Sequence, residues 1–180
     1  MITTDTARML ARYNAWANQR FFEAVAALPE GEATKERQSL FRNMVHTLNH
    51  NYVIDRIWQA HLEGREHGYA ARNTPGHPPL SDLWRVQQAM DDWYIAWSES
   101  MSDAALAKEV QFTLVGGNPG VMTRGEILLH VVNHTSYHRG FVADLFYQVP
   151  ARPPLTDLPV FLREHADRVK RVARKVPDPR

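Results

Sequence analysis

Apolar residues recur along this chain mostly at steps of three and four, the period of a helix with one buried face. Over residues 3–28 the stripe is Leu10, Tyr13, Ala17, Phe21, Val25 and Leu28, closed by Pro29, which predicts a first long helix. From Ser39 to Glu63 the positions Met44, Leu48, Ile54, Ile57 and Trp58 repeat the pattern, and Gly64 is the expected C-cap. Residues 65–80 hold Gly68, Pro75, Gly76, Pro78 and Pro79, a density of helix breakers that only a loop accommodates; this is the expected crossover. Ser81 and Asp82 open a third helix whose face carries Leu83, Val86, Met90, Trp93, Tyr94 and Trp97, and a short helical turn is expected after Ser102.

Between Glu109 and Met122 apolar and polar residues alternate and then break at Gly116, Gly117, Asn118, Pro119 and Gly120, the pattern of a small hairpin. Thr123 and Glu126 have the Thr-x-x-Glu spacing of a capping box and start a fourth long helix running to about Gln148, before Pro150. A last helix is expected over 158–175. The prediction is an all-α chain: a four-helix bundle with a long crossover, a small β excursion before helix four and a C-terminal helix.

Length and composition narrow this further. The 180 residues suit a single domain, 1–180, and no internal repeat or low-complexity segment divides them. A hydrophobic content of 44% with five Trp supplies enough apolar surface to offset the ordering entropy of the chain. Twenty-one Lys and Arg against 20 Asp and Glu leave no global field to draw nucleic acid or anionic lipid. The basic run Arg163, Arg168, Lys170, Arg171, Arg174 and Lys175 is interleaved with Val169, Val172 and Val176, as on the solvated face of an amphipathic helix. No partner of either kind is expected, neither nucleic acid nor membrane.

There is no cysteine, so disulfides, protein thiolates and Cys-based metal sites are excluded, and any transition metal must be held by His or carboxylates. The N-terminal residues lack the apolar segment of a signal peptide, and no run of ~18 apolar residues could span a bilayer. A cytoplasmic location is the expectation.

Five of the nine His fall on helices two and four: His46, His50, His130, His134 and His138. On helix four a core stripe drawn through Ile127, Val131, His134, His138, Val142 and Leu145 puts two imidazoles inside. Residues four apart lie one turn apart on one face, about 6 Å between Cα atoms, close enough to chelate one ion. His134 and His138 meet that condition, as do His130 and His134, but His130 and His138 stand about 12 Å apart on a straight helix. A further ligand must then come from another helix, and periodicity leaves both His50 and His46 open. Burying several neutral imidazoles needs a partner for each ring, which one metal would provide. His61, His67, His77 and His165 read as solvated.

The segments LNHNYVIDRIW (48–58) and HVVNHTSYHRG (130–140), with YNAWAN (13–18), resemble the DinB/YfiT-like family of metal-dependent enzymes. The likeness covers helices one, two and four in order. It implies the family's helical bundle and a homodimer, and it implies one divalent metal held by His50, His134 and His138, choosing His50 over His46. The family commonly has Gln after His-Arg-Gly; Phe141 stands there, which weakens any inference about substrate. Asn14, Asn18 and Arg139 are candidate contacts to a bound cofactor or substrate. The alternatives are helix packing for the asparagines and an ion pair of Arg139 with Asp55, beside Arg56, that staples the bundle. Trp16 and Trp58 read as core.

Three neutral His leave a coordination position open, the arrangement of a catalytic site. The spacing His-Thr-Ser-Tyr-His lacks the Glu that serves a zinc peptidase as general base, and no Glu-x-x-His motif of a di-iron site surrounds it. His ligands suit zinc, nickel and iron alike. The resemblance implies thiol-dependent transferases or isomerases that use mycothiol, bacillithiol or glutathione-like cofactors. The expectation is therefore a metal-dependent S-transferase or isomerase acting on a small molecule with a low-molecular-weight thiol. The alternatives are a metal-dependent hydrolase and a stress-related binding module with a structural metal.

Overall fold

The structure, a computed structural model, describes residues 2–165. Its elements are α1 (Thr4–Ala26), α2 (Met44–Glu63), α3 (Leu80–Ser100), the single turn α4 (Asp103–Leu106), β1 (Glu109–Thr113), β2 (Pro119–Thr123), α5 (Arg124–Phe146) and α6 (Leu158–His165). The all-α architecture with a small β excursion is as expected. Of the helix expected over 158–175, residues 166–175 lie outside the described residues, and so does the basic run beyond Arg163.

Local chemistry sets the ends. Asn43 accepts the His46 N–H at 2.7 Å and caps α2, while Gly64 closes it at φ 68°, in the left-handed region that glycine enters without strain. The expected start of that helix, Ser39, is too early: Arg42 stands at φ 69°, so the chain cannot be helical through it. The irregular stretch before Asn43 leaves Phe41 free to turn inward, where it is buried. Thr123 and Glu126 exchange backbone bonds of 3.2 and 2.7 Å, the capping box that opens α5. β1 and β2 pair antiparallel with Glu109 opposite Thr123 and Thr113 opposite Pro119.

Helix α1 packs on α3 and α5, and α2 packs on α5 and α3. Two apolar clusters fill the bundle. One gathers Ala7, Ala11, Ile57, Trp58, Tyr94 and Ile127; the other gathers Phe21, Val25, Met44, Leu48, Leu83 and Leu145. Because α1 and α5 begin in the first cluster and α2 and α3 begin in the second, α2 and α3 run parallel. The segment 65–79 must therefore return along the whole bundle, which makes it the crossover. It descends beside α2, with His67 against His61, the Arg72 carbonyl on His50, and Thr74 on His46 and Asn49.

Between the two clusters lies a buried polar layer built from residues four apart on each long helix. Arg139 Nη1 donates to Asn14 Oδ1 at 2.8 Å and Asn18 Oδ1 at 2.7 Å, and Nη2 donates to Ser136 Oγ at 2.9 Å. Asn18 Nδ2 donates to Asp91 Oδ1 at 2.9 Å; Gln87 Nε2 donates to Asp91 Oδ1 at 3.1 Å and to Asp55 Oδ2 at 3.0 Å. Thr135 Oγ1 completes the chain on Asp55 Oδ1 at 3.4 Å. The expected staple exists in altered form: Asn18 stands between Arg139 and Asp91, and no ion pair among the described residues includes Arg139. Arg56 takes no part, donating to Gln59 at 3.3 Å.

Burial pushes the Asp55 carboxyl up to about 8, with the Asp91 charge adding to it, and pushes Asp91 up to about 7; Arg139 and the amide donors oppose both shifts. One guanidinium balances one carboxylate, and burial raises both aspartates, which favours protonation of one of them and keeps the layer close to neutral.

Replacing Arg139 by Ala should lower the unfolding free energy of the metal-free protein by about 3–5 kcal/mol, the usual cost of leaving a buried polar cluster without its charged partner. Urea denaturation followed by circular dichroism measures this. A loss of only about 0.5 kcal/mol, the size of a surface substitution, would show that the layer does not hold the helices together.

Candidate metal centre

The polar layer aims the histidines. On α5, Thr135 and Arg139 face the layer, so the preceding residues His134 and His138 are rotated about 100° away from it. On α2, Asn51 and Asp55 face inward in the same way, and His50 precedes Asn51. The sequence stripe that ran through His134 and His138 is thus displaced by one residue. Thr135 (0% exposed) and Arg139 (2%) occupy the bundle axis, and the histidines form the wall of a cavity beside it.

His50, His134 and His138 offer ligand nitrogens that all lie within 4.8 Å of one another. His50 Nε2 is 3.2 Å from His134 Nε2, and the His138 ring centroid lies 4.6 Å from His50 and 4.4 Å from His134. In a tetrahedral site with bonds of about 2.0–2.1 Å, neighbouring nitrogens are about 3.3 Å apart, so this convergence fits a single metal ion. The donor chemistry fits as well. His50 Nδ1 is 3.1 Å from the Arg72 carbonyl, which can only accept, so the proton sits on Nδ1 and the Nε2 lone pair faces the other imidazoles. His134 Nδ1 and His138 Nδ1 are buried with no hydrogen-bond partner.

All three rings are held neutral. Burial, with the neighbouring imidazoles, pushes His134 down to about 3 and His138 to about 4, and burial likewise lowers His50. Phe41 stacks on His50 with 4.5 Å between centroids and meets His138 edge-on at 5.2 Å. Phe141, in the position where Gln is common, places its ring edge-on to His138 at 5.2 Å and covers it with hydrocarbon.

The cavity above the histidines measures about 450 Å³, within the range of small-molecule sites. Its walls are largely apolar: Phe41, Ile54, Ile57 and Trp58 from below, Leu114 and Val115 from the hairpin. Tyr137 and the crossover residues Arg72 and Asn73 complete the rim. The hairpin is pressed inward because Phe112 lies over Gly120, leaving no room there for a Cβ, and packs against Trp58 at 4.9 Å.

The remaining candidates lie elsewhere. His46 Nε2 pairs with the Thr74 carbonyl at 3.1 Å and stays outside the trio. His130 lines the cavity, with its ring 5.8 Å from His134. His61, expected to be solvated, is half-buried between Trp58 and Phe112, with centroids 5.4 Å from each. Asn14, Asn18 and Arg139 sit in the polar layer, and none of them lines the cavity over the histidines. Trp58 is buried as expected, while Trp16 lies under α6, 5.5 Å from Phe161. Sequence reasoning passed over Phe41, Arg72, Leu114 and Val115, which reach the site from irregular segments with no periodicity to mark them. It also passed over Gln87 and Asp91, whose four-residue spacing on α3 was the available signal.

Comparison with known proteins agrees with the motifs. The family model described as "DinB family" matches residues 1–171. The chain is similar to Protein DinB of Bacillus subtilis (strain 168), with 31% identity over 164 residues covering 88% of this chain and 95% of that protein.

Elemental analysis of purified variants tests the ligand set. His50→Ala, His134→Ala and His138→Ala should each lose most of the bound metal, whereas His46→Ala should keep about one ion per chain. Metal lost from His46→Ala and kept by His50→Ala would overturn the assignment on α2.

Proposed function

The chain belongs to the DinB family, and from that premise we propose that it is a metal-dependent S-transferase or isomerase in which a low-molecular-weight thiol supplies the nucleophile. The observation that carries the proposal is three neutral imidazoles converging at the foot of an apolar cavity with no carboxylate in its lining among the described residues. A divalent ion held there, with zinc, nickel and iron all suited to the donors, would supply Lewis acidity and ionise a ligated thiol or water.

The chain's own residues prepare the rest. The Arg72 carbonyl keeps the His50 proton on Nδ1, and burial keeps His134 and His138 in the deprotonated form that a metal needs. Phe41, Ile54, Ile57 and Trp58 exclude water from the cavity floor. Thr135, where a zinc peptidase would carry its Glu, is turned into the polar layer on Asp55 and cannot take a proton in the cavity. With no cysteine and no carboxylate base, a nucleophile ionised by ligation alone suits the site best.

A metal-dependent hydrolase is the second reading, and His130 favours it: burial lowers its pKa, and its ring at the cavity wall is placed to accept a proton from water. A purely structural metal fits less well, since a closed site would need no cavity.

Among the described residues no helix is long and apolar enough to cross a membrane. The thiol reading goes with a cytoplasmic location, where small thiols are kept reduced. We further propose a homodimer, for which the exposed apolar side chains Tyr147 and Leu155, outside the cavity lining, offer contact surface. Light scattering at micromolar concentration should give about twice the 20.7 kDa chain mass, and the monomer mass alone would refute the dimer.

Cobalt substitution tests the chemistry. Titrating the cobalt protein with cysteine, 2-mercaptoethanol and glutathione should produce a sulfur-to-cobalt charge-transfer band with at least one of them. An electrophile should then be consumed only when metal and thiol are both present. His138→Ala should show neither effect. No band with any thiol, together with turnover of an activated ester by the metal form alone, would transfer the assignment to the hydrolase.

A further inference from the structure

Among the described residues Arg72 is the one charged side chain in the cavity lining, and nothing there neutralises it. Several other arginines are spent on carboxylates, among them Arg12 on Glu99, Arg20 on Glu164, Arg42 on Glu36 and Arg65 on Glu63, but Arg72 alone among the arginines of the described residues lines this cavity. The Arg72 guanidinium makes no hydrogen bond or ion pair among the described residues, although it is an exposed part of the crossover and free to seek one. Its backbone is tied down, since its carbonyl receives the His50 Nδ1–H at 3.1 Å, so the side chain starts from a fixed point beside the imidazoles. Its charge is felt there, being among the influences that lower His50 and His134.

The cavity rim has a second uncommon property. Leu40 is 70% exposed, Tyr137 62% and Leu114 45%, and all three line the cavity mouth. Large apolar side chains left in water at the mouth of a concave site are ordinarily covered by what the site receives. A bound dication would add charge of the same sign as Arg72, and among the described residues no Asp or Glu in the lining would offset either.

We propose that Arg72 is a specificity-determining residue, and that the site takes an apolar small molecule bearing a carboxylate, held by the Arg72 guanidinium while the apolar part lies against Leu40, Leu114 and Tyr137. The guanidinium fork matches a carboxylate with two parallel N–H donors, the stronger, charge-assisted kind of hydrogen bond. The inference deepens the proposed function by naming the chemical class of the ligand, but it does not require the ligand to be a thiol.

The test uses the metal-loaded protein and two probes without sulfur, 4-phenylbutyrate and 4-phenylbutanamide, with affinities read by titration calorimetry. The carboxylate should bind about tenfold more tightly than the amide, the discrimination expected of one charge-assisted hydrogen-bond pair. Arg72→Gln should abolish the preference by weakening the carboxylate and leaving the amide unchanged, Arg72→Lys, which keeps the charge but not the two-donor fork, should restore only part of it, and metal content should be the same in all three proteins. A preference that survives Arg72→Gln would mean that the carboxylate goes to the metal instead, and would overturn the proposal. Failure of both probes to bind the wild-type protein would overturn it as well. Because neither probe carries a thiol, a missing charge-transfer band beside an intact carboxylate preference would sink the thiol reading alone.

Discussion

A cation buried at the bundle axis is the constraint on which the rest of this structure depends. Arg139 cannot be left in an apolar interior without acceptors and a compensating charge. The chain meets that requirement with residues four apart on each long helix: Asn14 and Asn18, Asn51 and Asp55, Gln87 and Asp91, Thr135 and Arg139. Apolar contacts tolerate a helix sliding or rotating by a fraction of a turn. Hydrogen bonds of 2.7–3.1 Å do not. The polar layer therefore sets the rotation of each helix where two interchangeable hydrophobic clusters, above and below it, would leave rotation loosely specified.

The histidines inherit that precision from their neighbours. His134 and His138 each precede a residue of the layer on α5, and His50 precedes Asn51 on α2, so three imidazoles on two helices turn toward one point because the residues beside them turn toward another. Structure and chemistry are divided between adjacent helical faces. The residues of one face bond to one another, while the other face carries His134 Nδ1 and His138 Nδ1 without partners, in a cavity that holds the rings neutral.

The parallel course of α2 and α3 adds the last component. A parallel pair of neighbours demands a long return segment, and that segment passes over α2 where His50 stands. The same connection that satisfies topology thus supplies the carbonyl that sets the His50 tautomer and the guanidinium that stands over the cavity. The hairpin before α5 contributes Leu114 and Val115 from the opposite side, so the histidine-bearing helices form the floor and the irregular segments form the walls.

By itself the sequence determined what is local. The four long helices, the Gly64 and Thr123–Glu126 signals at their ends, the hairpin and the crossover all follow from spacing, capping and breakers within a few residues of one another. The helical repeat put His134 within reach of His138 and equally of His130, and the motif resemblance chose His138 and His50. Which side of α5 faces the bundle axis was not legible, because Thr135 and Arg139 are polar and a hydrophobic stripe drawn past them falls one residue away. Only the tertiary structure decided that Asn14, Asn18 and Arg139 belong to the interior layer and Arg72 and Phe41 to the cavity. Those placements depend on partners from 9 residues apart in the chain, Phe41 with His50, to 125 apart, Arg139 with Asn14, which no local pattern encodes. A buried polar residue and an exposed one look alike in sequence until the groups that satisfy them are brought together.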